Sequence, residues 1–87
     1  MSHLTHSELR NGIWSGRLEG ISETPDVIAT YQGVEIADVS VKPIADNIWG
    51  LDFPLPLEML SDGVHSCIIS WTTGEKIGDL RAEIEQL

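Results

Sequence analysis

Three scarcities shape this sequence before any motif does. There is a single cysteine, Cys67, so no disulfide can form within the chain, which suits a reducing compartment. Five lysines and arginines stand against fourteen aspartates and glutamates, for a formal charge of −9. Residues 44–87 hold eight of those acids and only two of the bases. Such a surface repels phosphate backbones, and no basic stripe interrupts it, so the reading excludes direct nucleic-acid binding. No apolar run approaches the ~20 residues of a membrane span. Met1–His6 has neither the basic nor the apolar region of a signal peptide. The expectation is a soluble chain, made in the cytoplasm, with no membrane partner.

Chemistry-bearing groups are equally sparse. Ser15 lies in Gly12-Ile13-Trp14-Ser15-Gly16, which falls short of the G-x-S-x-G elbow and lacks the strand-to-helix turn that the elbow requires. Cys67 sits between Ser66 and Ile68 in the most apolar run, where a thiol is a small buried hydrophobe. His3 and His6 are three apart on a polar terminus, remote from His65. Two such residues do not make a metal site without third and fourth ligands. His65 is expected to cap its strand or bond a nearby carboxylate. Asp46 and Asp52 have no Ca²⁺-loop spacing around them. The sequence therefore assigns no catalytic residue, no metal ligand and no cofactor-binding residue, and the chain reads as a non-enzyme.

What is present is frequent punctuation. Asn11-Gly12, Gly20, Pro25, Gln32-Gly33, Pro43, Pro54 with Pro56, Asp62-Gly63 and Thr73-Gly74 divide the chain into short runs rich in Val, Ile, Trp and Thr. That spacing predicts a mostly β fold, an antiparallel β-sandwich of about six to seven short strands. In the first run Trp14, Gly16 and Leu18 share one face, and Ser15, Arg17 and Glu19 the other. Val27–Tyr31, Gln32-Gly33 and Val34–Lys42 read as a hairpin. Val34 and Ile36 differ in parity from Val39 and Val41, which places a bulge near Ala37-Asp38. Trp49, Leu51 and Phe53 share a face of the fourth run. Leu57–Leu60 reads as one helical turn. Val64–Trp71 is apolar enough for a central strand buried on both faces. Lys76-Ile77 reads as a short returning strand.

The last segment is read as a change of period. Asp79 suits an N-cap, and Leu80, Ile84 and Leu87 follow at spacings of four and three, the seam of a heptad. The expected organisation is an N-terminal arm over residues 1–10, a sandwich over 11–78 and a C-terminal helix over 79–87. A helix of that length does not persist alone. Its apolar stripe is expected to dock on the domain, dock on a partner, or begin a coiled coil cut short at Leu87.

The run Leu55-Pro56-Leu57, Leu60, Asp62-Gly63-Val64-His65 and Thr73-Gly74-Glu75 resembles the closing strands of small immunoglobulin-like β-sandwich modules of bacterial and phage type. With Gly12–Gly16 it is also similar to small bacterial β domains that carry a C-terminal coiled-coil helix. A compact acidic sandwich with assembly-prone ends is similar in kind to phage capsid decoration (cement) proteins. The resemblance implies a structural protein of the virion, bound to capsid protein or to copies of itself. On that reading Leu4, Leu80, Ile84 and Leu87 are the interaction residues. The alternative is a carbohydrate-binding module that stacks sugars on surface tryptophans, with Trp14, Trp49 and Trp71 as the candidates.

Overall fold

A computed structural model describes residues 2–86. Two short turns show how sequence becomes architecture. Asn11 and Gly12 both take positive φ, 54° and 75°, as do Gln32 and Gly33 at 52° and 82°. Such two-residue turns carry the twist of antiparallel strands through the reversal. The first turn joins β1 (His3–Arg10) to β2 (Ile13–Glu19), with Arg10 opposite Ile13. The second joins β3 (Asp26–Tyr31) to β4 (Val34–Glu35), with Tyr31 opposite Val34.

The remaining strands are β5 (Ser40–Ala45), β6 (Ile48–Pro54), β7 (Gly63–Thr72) and β8 (Ile77–Gln86). A single 3-10 turn, Leu57–Met59, bridges β6 and β7. The strands form two four-stranded sheets, in the orders β1-β2-β6-β5 and β4-β3-β7-β8. Every pairing is antiparallel. The chain is thus mostly β and sandwich-like, with eight strands among the described residues where six to seven were expected.

The core lies between the sheets and follows the pleat. In the first sheet Trp14 stands opposite Phe53 and Leu18 opposite Trp49. The Trp14 and Phe53 rings stack at 5.1 Å, a geometry worth about 0.5–1.5 kcal/mol beyond area burial. The second sheet contributes Ala29, Cys67, Ile69, Trp71, Ala82 and Ile84. Pro43 occupies edge strand β5, where a residue without an N–H removes no central ladder bond.

Four expectations are corrected. First, residues 79–86 are not a helix; they complete a ten-residue strand. Leu80, Ala82 and Ile84 turn towards the core, while Asp79, Arg81, Glu83 and Glu85 are exposed. Leu80 and Ile84 are four apart, a spacing that fits a helix face and a strand face equally. Ala82 and the alternating charges decide for the strand, which also supplies backbone partners along β7. Second, the expected N-terminal arm forms β1, paired with β2 from His3 to Arg10. Its register shifts between Thr5 and Glu8, with His6 at φ 54°. That bulge puts Leu4 and Leu9 in opposite parity and hides the alternation.

Third, the phase change around Ala37-Asp38 is a change of sheet. Val34 belongs to β4 in one sheet and Val41 to β5 in the other. Val34 is exposed while Ile36 is buried, so their shared parity does not mark one core face. Asp38 adopts φ 62° in this crossing, and the Ile36 amide donates to the Ala29 carbonyl at 2.8 Å. Fourth, β7 is central but buries one face only. His65, Cys67, Ile69 and Trp71 are buried while Val64 and Ser66 are exposed. The helical turn at Leu57 and the Thr73-Gly74 hairpin stand where they were expected.

Candidate interaction surfaces

The described residues singled out for interaction are not free stripes. Leu4 on β1 and Leu80 on β8 pack against the core, and Ile84 is 2 % exposed. Leu87 lies outside the described residues. β1 and β8 are edge strands of the two sheets and lie side by side. An opening of about 170 Å³ runs between them, lined by Glu8, Leu9, Trp14, Glu83, Ile84 and Glu85 among others. Its floor is apolar and its rim acidic.

The tryptophans do not offer a stacking platform. Trp14 and Trp71 are buried. Trp49 is partly buried, and its Nε1 donates to the Ile21 carbonyl at 2.8 Å. A domain this small spends its large rings on the core, so the surface-tryptophan alternative loses the residues it needed. Cys67 is buried as expected, and burial pushes its thiol from an ordinary 9.0 up to about 11. Ser15 lies in mid-strand on β2. His3 approaches Glu19 at 3.9 Å, and His6 Nδ1 meets the Thr5 hydroxyl at 3.0 Å. Among the described residues no group of three or more His, Cys, Asp or Glu is placed to hold a metal ion. No helix among them is long and apolar enough to cross a membrane.

Among the described residues His65 meets no carboxylate; it ties two loops together. Its Nε2 lies 2.7 Å from the Ser61 carbonyl oxygen and its Nδ1 lies 2.8 Å from the Tyr31 hydroxyl. A carbonyl only accepts, so Nε2 donates to it. In the neutral ring Nδ1 then accepts from Tyr31. The rings of Tyr31 and His65 also meet edge to face at 5.6 Å. Tyr31 ends β3 at the hairpin tip, and Ser61 follows the 3-10 turn. The imidazole therefore fixes the tip of β3–β4 against the loop that leads into β7.

This linkage builds an apolar apex that sequence reasoning missed. Tyr31, Val34, Ile36 and Pro56 line a depression of about 120 Å³, with Gln32, Glu35 and Glu58 around it. Val34 is 68 % and Leu57 82 % exposed, and Leu60 stands half in solvent beyond the turn. The alternation of Leu55, Leu57 and Met59 was the available signal. Only tertiary packing shows that Leu55 and Met59 are buried and Leu57 is not.

A third surface lies on the outer face of the first sheet. Thr5, Arg17, Gly50 and Lys42 follow one another across its four strands. Ser15, Arg17, Lys42, Ile44 and Asp52 border a shallow groove of about 340 Å³ there. Among the described residues Arg10 forms an ion pair with Glu8, and neither Arg17 nor Lys42 takes part in one. Its basic groups sit beside Glu8 and Asp52, which line the same groove. No known family model, curated protein or solved structure matches this chain.

Proposed function

We propose that this chain is a non-enzymatic structural protein that associates with copies of itself through the apolar apex. The observation that carries this reading is the exposure of Val34, which lines the depression, and of Leu57, whose chain neighbours Pro56 and Glu58 line it, on a scaffold locked by Tyr31, His65 and Ser61. Isolated surface leucines are ordinary, but apolar side chains gathered around a concavity mark contact surfaces. A patch presented by every copy favours a symmetric contact in which the same residues meet across a two-fold axis.

Decoration of a phage capsid is the specific setting proposed, together with kinship to immunoglobulin-like modules of phage type. Supporting that setting are the small acidic body and the resemblance in kind drawn from the sequence. Capsid protein is then the further partner. Stoichiometric detection of the chain in purified particles decides this part of the proposal.

Light scattering tests the self-association. The wild-type chain is expected to exceed its 9.6 kDa monomer mass, increasingly so with concentration. Leu57→Asp should return it to the monomer with an unchanged fold by circular dichroism. A wild-type chain that stays monomeric across the whole accessible concentration range overturns the apex reading.

A further inference from the structure

The free edge of β8 carries chemistry that the apex does not use. β8 is the terminal strand of its sheet, so β7 takes one edge of its backbone and, among the described residues, no strand pairs with the other, with β1 of the facing sheet alongside. Ten residues make a long edge. Its exposed positions are Ile77, Asp79, Arg81, Glu83 and Glu85, the charged ones being three acids to one base. Charged residues on an edge discourage indiscriminate pairing. They also select the sign of a strand that does pair.

A second copy of β8 is a poor match. The antiparallel register that sets Arg81 against Glu83 also sets Asp79 against Glu85, and parallel pairing in register opposes like charges throughout. Lysine or arginine on the incoming strand meets Asp79, Glu83 and Glu85 instead.

The opening beside the edge supplies the second half of the specificity. An added strand alternates its side chains between the outer face and the inter-sheet seam. Those on the seam side reach the opening whose floor is Leu9, Trp14 and Ile84. The opening, about 170 Å³, is shallow and lets an aliphatic side chain rest against it. Glu83 and Glu85 belong to the strand edge and to the rim of that opening at once.

We infer that the open edge of β8 is a strand-addition site for an extended, basic segment of a partner protein, in which lysine or arginine alternates with aliphatic residues. The site is separate from the apex, so its failure leaves the self-association reading standing.

The probe is a short synthetic peptide alternating Lys and Val, matched in length to β8 and titrated against the whole chain by calorimetry. Amide hydrogen exchange is followed in parallel. Expected are binding that weakens with salt and new protection confined to β8. Methylating the peptide's backbone nitrogens along one edge should abolish binding. Glu83→Gln with Glu85→Gln should weaken it ~10-fold without lowering the melting temperature. The inference is overturned by no binding, by equal binding of a peptide with Glu in place of Lys, or by binding that survives N-methylation. It is overturned equally if β8 gains protection through self-association alone.

Discussion

The indole of Trp71 lies flat across Gly78, its cross-strand partner on β8. A Cβ placed at residue 78 would stand 2.6 Å from ring atoms Cε2 and Cζ2 and 2.7 Å from Nε1. The ring thus occupies the place of the missing side chain, and the buried Nε1 finds no hydrogen-bond partner among the described residues. Alanine ordinarily suits a strand interior better than glycine. Here the sign reverses, because the indole would have to move. Gly78→Ala should cost about 1–3 kcal/mol, read from the urea midpoint, together with altered tryptophan emission.

The Tyr31–His65 bond gives a second expectation. Tyr31→Phe keeps the ring and removes the hydroxyl that His65 Nδ1 meets at 2.8 Å. A partly buried nitrogen left without its partner costs about 1–3 kcal/mol. Faster amide exchange at Gln32, Gly33 and Val34 should accompany the loss, because the hairpin tip loses its tie to the Ser61 loop. Unchanged exchange there would refute the tethering role.

Strand and helix make opposite forecasts for Ala82. On the heptad seam of Leu80, Ile84 and Leu87, position 82 faces solvent and tolerates charge. On β8 it faces the core at 6 % exposure, beside Cys67 on β7. Ala82→Asp should therefore destabilise the chain by about 3 kcal/mol or more, an unpaired carboxylate in an apolar interior. Glu83→Gln, on the exposed face, should stay within about 0.5 kcal/mol. Chemical denaturation of the two variants separates the structures.

Cys67 links stability to alkaline pH. Burial raises its thiol from 9.0 to about 11 in the folded chain, so the folded state holds this proton where the unfolded state has released it. The contribution is fully present below pH 9 and is lost as pH climbs from 9 towards 11. Two units correspond to roughly 2–3 kcal/mol. Cys67→Ala should flatten that part of the stability profile. The native thiol should also resist alkylation at pH 8 until denaturant is added.

Much of the strand pattern was legible, and its one large misreading is instructive. Trp14-Gly16-Leu18 and Trp49-Leu51-Phe53 alternate cleanly, and both runs are strands with those faces inward. Asp79 to Glu85 alternates just as strictly. Leu80 and Ile84 also fit a helical face, and attention to them alone lost Ala82. β1 was hidden for a different reason: the bulge at His6 and Ser7 breaks its period, and a broken period looks like loop. The candidate surfaces were less legible still. Leu4, Leu80 and Ile84, read from the sequence as contact residues on the chain's ends, pack against or within the core from the edge strands.

By itself the sequence determined the local facts. The charge, the lone thiol, the turns at Asn11-Gly12 and Gln32-Gly33, and the face each alternating side chain takes are properties of neighbours along the chain. Tertiary structure alone decided which sheet each strand joins, and with it that Tyr31 meets His65 from 34 residues away. It also left Leu57 in solvent while burying Met59. Alternation states that a face must be covered, but not by what. That choice is made by strand pairing across long separations, where the free energy depends on the whole set of contacts forming together.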